Sequence, residues 1–122
     1  MANQVFFKPK PPKQGTEPNQ YSLGDWLPKM QLYMTVTGLW DVTEADVPLA
    51  AMTANQRRLN GLAHICLIDN LSQMTGELVL HHNRAHDVWQ HLTQVSTTVY
   101  SQEWIIALVL WIVPFPFVAV MH

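Results

Sequence analysis

The residues best suited to chemistry in this chain are its histidines. His81, His82, His86 and His91 fall within eleven residues. Imidazole moves protons near neutral pH and is a common metal ligand. His82 and His86 are four apart, a spacing that can place two ligands on one helix face. Asn83, however, reads as a helix cap between them and breaks the shared register. No HExxH, paired cysteine or neighbouring acid triad joins the set. The expectation is therefore solvated or capping histidines, with no metal and no cofactor. Cys66 is the one cysteine. It lies on an apolar helical stripe, where a thiol is inert packing rather than a nucleophile. Asp41, Glu44 and Asp46 read as a solvated loop cluster, not as an acid–base pair. There is no GxGxxG, phosphate loop or GxSxG elbow. No catalytic residue is assigned, and no enzyme is expected.

The bulk properties agree with a small helical protein. The 122 residues fit one domain. Apolar residues make up 48% and charged residues 13%, about half the usual charged share of ~25%. That apolar excess needs a core, a partner or a membrane to cover it. The net charge of −2 provides no strong field for holding phosphates. A single cysteine excludes an internal disulfide and suits a reducing, cytoplasmic compartment. The start of the chain lacks the apolar run of a secretory signal.

Periodicity predicts the elements. Residues 1–20 carry Pro9, Pro11, Pro12 and Pro18 with Lys8, Lys10 and Lys13, the composition of a flexible arm. Leu23, Trp26, Leu27, Met30, Tyr33 and Met34 then follow one helix face. Pro28 places the start near Asp25, where the missing N–H lies in the first turn, and Gly38 provides the stop. Leu39 and Trp40 fold back over that end. Thr43 to Met52 reads as loop. Thr53 and Gln56 form a capping box for a helix from Ala54 to Ile68, with Leu59, Leu62, Ala63 and Cys66 as its buried stripe. A short helical piece runs from Met74 to Leu80. Asn83 caps a last helix from Arg84 to at least Val99, with Ala85, Val88, Trp89, Leu92, Val95 and Val99 inward. Trp26, Trp40 and Trp89 are expected in the core rather than in a ligand cage. The fold class is all-α: three to four helices, the arm before them and an apolar tail behind.

The segment "YSLGDWLPKMQLYMTVTGLWDV" resembles the opening of copia-type (Ty1/copia-like) retrotransposon Gag polyproteins. Tyr21, Trp26, Met30 and the closing Gly38, Leu39, Trp40 and Asp41 occupy the family's positions. "NRAHDVWQHLTQVSTTVY" resembles the family's second mark, with Trp89, Leu92 and Tyr100 in place. The resemblance covers residues 21–100. It implies a helical, capsid-like assembly domain that self-associates and gathers element RNA, with Trp26, Met30, Gly38, Leu39, Trp40, Trp89, Leu92 and Tyr100 as its structural core. The family's zinc knuckle is not matched here, and the charged helix expected after Tyr100 is replaced by apolar sequence. Both departures are expected of a truncated or decayed copy, or of a gene model that leaves the original frame.

The final run, "WIIALVLWIVPFPFVAVM" from Trp104 to Met121, is free of charge. Eighteen residues of helix span about 27 Å at 1.5 Å each, just short of a hydrocarbon core of ~30 Å. Pro114 and Pro116 interrupt it. The expectation is helix to about Val113 and irregular chain beyond. The alternative is a small membrane-anchored protein held through residues 104–121.

Overall fold

Ser22, Thr53 and Ser72 each stand one residue ahead of a helix, and each side chain accepts from the backbone N–H three residues on. The bonds are 3.4 Å to Asp25 N, 3.1 Å to Gln56 N and 3.3 Å to Thr75 N. Each satisfies one of the donors that a helix start leaves unpaired. In the computed structural model, which describes residues 8–97, these caps open α1 (Leu23–Thr37), α3 (Ala54–Asp69) and α4 (Gln73–Val79). A five-residue helix, α2 (Trp40–Glu44), and a 3-10 turn (Leu49–Ala51) lie between α1 and α3. The last helix, α5, covers 85–97. The fold is all-α. Among the described residues the β contacts amount to one isolated Gln14–Tyr21 bridge.

Gly38 ends α1 at φ 80°, the left-handed conformation that favours glycine. Leu39 N–H donates to Met34 O (2.8 Å) and Gly38 N–H to Thr35 O (3.3 Å), the bond pair of a Schellman motif. The turn is so tight that α2 starts only two residues later. Trp40, expected simply to fold back, is therefore the first residue of a new helix. That helix packs on both α1 and α3. It occupies part of the segment expected as loop, so the described residues hold five α-helices rather than three or four.

Two helix readings are corrected. First, α1 begins at Leu23, and Pro28 lies inside it. Trp26, Met30 and Met34 of this helix are all fully buried. The burial outweighs the one backbone bond that Pro28 forgoes. Second, the buried stripe of α3 is Asn60, Ala63 and Leu67. Leu62 is 46% exposed, while Leu59 and Cys66 are half-buried at the edge of the core. The reading followed hydropathy, but this face is chosen by the Asn60 amide.

The described part of the arm is not free. Trp26 Nε1–H donates to Pro12 O (2.8 Å). Gln14 N–H donates to Asn70 O (2.8 Å), and Gln14 Oε1 accepts from Ser72 N (2.9 Å). Tyr21 N–H donates to Lys13 O (2.9 Å). Proline content argued for flexibility, yet the fully buried indole needs an acceptor, and the arm delivers one. Residues 8–20 thus bridge α1 to the α3–α4 turn.

One apolar cluster unites Trp26, Met30 and Met34 of α1, Val42 of α2, Ala63 and Leu67 of α3, Val79 of α4, and Ala85, Val88, Trp89 and Leu92 of α5. The chain divides into two units between Leu92 and Thr93. Of the second, the described residues 93–97 are helical, with Thr97 Oγ1 donating to Thr93 O (2.9 Å). Val99, Tyr100 and the 101–122 tail lie outside the described residues. Among those described, no helix is long and apolar enough to cross a membrane.

Trp26→Ala removes the largest fully buried side chain and should cost about 3–5 kcal/mol. Trp26→Phe keeps the ring but orphans Pro12 O, at about 1–3 kcal/mol. Urea unfolding of the two variants checks the order. Hydrogen exchange should report faster exchange at Gln14 in both.

Candidate functional site

Three of the clustered histidines meet around the start of α5, and α3 is what brings them there. Asn60 and His64 are one turn apart on α3. The Asn60 carboxamide clamps the α5 start from both sides, accepting from Ala85 N–H (2.8 Å) and donating to Asn83 O (3.2 Å). His64 Nε2 lies 2.7 Å from His82 O, a bond in which the imidazole N–H donates. Asn83 is thus not the cap expected from the sequence. Asn60, from another helix, satisfies the buried N–H at the α5 terminus.

This clamp holds His81 and His82 in the link ahead of α5, facing His91 nearly two turns along it. His82 Nε2 is 2.9 Å from His91 Nδ1. The ring centroids of His81 are 4.0 Å from His82 and 5.9 Å from His91. Together His81, His82 and His91 offer three ligand nitrogens within 4.8 Å of one another. His81 is exposed; His82 and His91 are partly buried. Burial lowers the basicity of His82, and the neighbouring His81 and His91 lower it further. His82 and His86 do not share a helix face, as the break at Asn83 implied. His82 precedes the helix, so the i, i+4 rule does not apply. His86 instead turns toward α2, with Nδ1 3.1 Å from both Thr43 O and Glu44 O.

Arg84 ties the same link to the loop after α2. It forms a fork on Asp87, with Nε 2.8 Å from Oδ2 and Nη2 2.7 Å from Oδ1. Its Nη1 donates to Asp46 Oδ1 (2.7 Å) and Val47 O (3.0 Å). Hydrogen bonds to Asp87 and Asp46 hold the guanidinium still more firmly charged, while the bond from Arg84 lowers the pKa of Asp87. Asp46, read as solvated, is therefore an ion-pair partner although its side chain is 71% exposed.

Of the residues expected as an assembly core, Trp26, Met30, Trp89 and Leu92 belong to one buried cluster. Trp89 sits between Trp40, at 5.0 Å and near-perpendicular, and Trp26, at 6.4 Å. Met30 and Leu92 are fully buried, and Leu39 and Trp40 are partly buried against them. Gly38 forms the turn, and Tyr100 lies outside the described residues. These side chains pack on one another rather than lining a cage. Cys66 is half-buried 3.9 Å from Met30 Sδ, and burial, then Asp69, raises its thiol pKa. That is the reverse of an activated nucleophile. A cleft of about 650 Å³ runs between the arm and α1, bordered by Pro11, Tyr21, Leu32 and Val36. Lys29 Nζ lies 5.0 Å from the centroid of the Tyr21 ring at its edge.

No family model, curated protein or solved structure matches the chain.

Asn60→Ala should orphan the buried Ala85 N–H and cost about 1–3 kcal/mol. Asn83 is exposed, so its carbonyl turns to water. Thermal unfolding checks the size, and exchange at Ala85 checks the place.

Because Arg84 lowers the Asp87 pKa, the folded chain binds fewer protons than the unfolded one in the acid range. The stabilisation is complete above the usual carboxylate value of about 3.9 and is lost as pH falls through the lower folded value. Asp87→Asn should cost about 0.2–1 kcal/mol at pH 7, as a partly exposed pair does, and flatten the stability curve below about pH 4. Denaturation across pH 2–7 reads both.

Proposed function

We propose that the chain is a non-enzymatic helical assembly domain, related to the Gag polyproteins of copia-type retrotransposons, that works in the cytoplasm by pairing with copies of itself. The family part rests on the residues at the resembling positions. Trp26, Met30, Trp89 and Leu92 belong to one buried cluster with Leu39 and Trp40 packed against it, the packing role that the resemblance gives them. The resemblance adds element RNA as cargo, but the net charge of −2 favours protein as the first partner.

The observation that carries the pairing is the outer face of α3. Arg58, Leu62, Ile65 and Asp69 recur at i, i+4, i+7 and i+11, a single stripe on a 3.6-residue helix. All four are exposed, with Leu62 at 46% and Ile65 at 57%. The stripe is self-complementary when reversed. Laid antiparallel on a second copy, it sets Leu62 against Ile65 of that copy and Arg58 against its Asp69. A two-fold interface requires this kind of pairing. The apolar pair supplies the affinity. The flanking charges fix direction, since exposed ion pairs contribute only about 0.2–1 kcal/mol.

Sedimentation of the full chain over a range of concentrations should reveal a reversible dimer. Leu62→Lys with Ile65→Lys should weaken it at least about tenfold, given roughly 1.5–3 kcal/mol per fully buried aliphatic side chain, with unchanged helicity. Arg58→Asp should weaken it, and Arg58→Asp with Asp69→Arg should restore it. A chain that stays monomeric, or dimerises equally without these residues, rules the pairing out.

A further inference from the structure

Three imidazoles from two chain segments converge without a carboxylate or thiolate among them. Their ligand nitrogens lie within 4.8 Å. A tetrahedral zinc with Zn–N bonds of about 2.0–2.1 Å needs its nitrogens about 3.3 Å apart. His82 and His91, at 2.9 Å, need to spread only slightly, and the metal would replace the hydrogen bond between them. The remaining adjustment falls to His81, which is exposed and whose ring already lies 4.0 Å from that of His82. The backbone is already set. Asn60 and His64 fix residues 82–85 against α3, and His91 stands on a helix. The nearby acid, Asp87, is engaged by Arg84 and does not compete as a ligand.

We propose that His81, His82 and His91 form a three-imidazole site for a late first-row divalent cation, zinc above all, with the fourth position open to water. All-imidazole ligation suits zinc, copper and nickel and disfavours magnesium and calcium, which take oxygen ligands. This reverses the expectation of no metal drawn from sequence spacing. His64 is a positioning residue: it holds the His82 carbonyl and with it the ligand pair. The site stands independently of the assembly reading, since its three ligands lie outside α3 and outside the Arg58–Asp69 stripe.

The test is calorimetric titration of the chelator-treated full chain with zinc alone, alongside cobalt absorption as a probe of coordination number. One zinc per chain is expected, with cobalt bands of a four-coordinate site. His81→Ala and His91→Ala should each weaken binding by about tenfold or more, and His64→Ala by about tenfold at unchanged stoichiometry. His86→Ala should leave binding unchanged. His81 is exposed, so its variant folds even if His91→Ala does not, and circular dichroism checks this. The absence of saturable binding, or binding that survives both His81→Ala and His91→Ala, overturns the site. An unchanged affinity in His64→Ala overturns its positioning role.

Discussion

The carboxamide of Asn60 is the contact on which the rest of the arrangement hangs. A helix start leaves several N–H groups without partners, and at α5 the first of them is buried with Ala85. A buried donor must be met. Water has no access, and no side chain of the preceding link serves. Asn60 meets it from α3, and its own N–H group is satisfied by Asn83 O. One amide therefore fixes both the rotation of α3 and the point at which α5 begins. The second setting decides that Ala85, Val88, Trp89 and Leu92 point inward. It also decides that His91 looks back at His81 and His82.

The tryptophan layer imposes a similar constraint on the other side. Trp26 is fully buried, which satisfies its ring but not its N–H. Pro12 O fills that need, so burial in α1 recruits chain that composition alone assigns to solvent. The proline-rich stretch suits the task. Its fixed φ values limit the freedom lost when it lies down, and its carbonyls lack helical or sheet partners. Gln14 then secures it on Asn70 and Ser72. The core and the arm are one hydrogen-bonded construction.

How far the sequence reveals this follows from the range of each signal. The caps at Thr53 and the stop at Gly38 are legible because they depend on residues three or four apart. The inward positions of α1 and α5 are legible because their stripes are apolar and regular. The Pro28 reading fails because a local rule meets a larger tertiary gain. The α3 stripe fails because a polar residue, Asn60, occupies its centre and hydropathy points elsewhere. A lone asparagine among apolar neighbours was the available clue. The meeting of His81, His82 and His91 is hidden for a related reason: they come from a link and a helix brought together by Asn60 and His64, far back in the chain. Spacing between His82 and His86 says nothing once His82 lies outside the helix.

The misread stripe and the hidden histidine meeting share a cause in the geometry of α3. At 100° per residue, Asn60, Ala63 and Leu67 occupy one side, and Arg58, Leu62, Ile65 and Asp69 occupy the opposite one. Apolar residues lie on both sides, so the periodic signal is blurred and the helix does not announce its inner face. The inner face is explained by the core and by the clamp. The outer face is not, because Leu62 and Ile65 contribute little to the burial that folds this chain. The proposed pairing takes its occupant from this second, outer pair of apolar residues, bounded by Arg58 at one end and Asp69 at the other. Reversal maps that surface onto itself, which is why the proposed partner is a second copy.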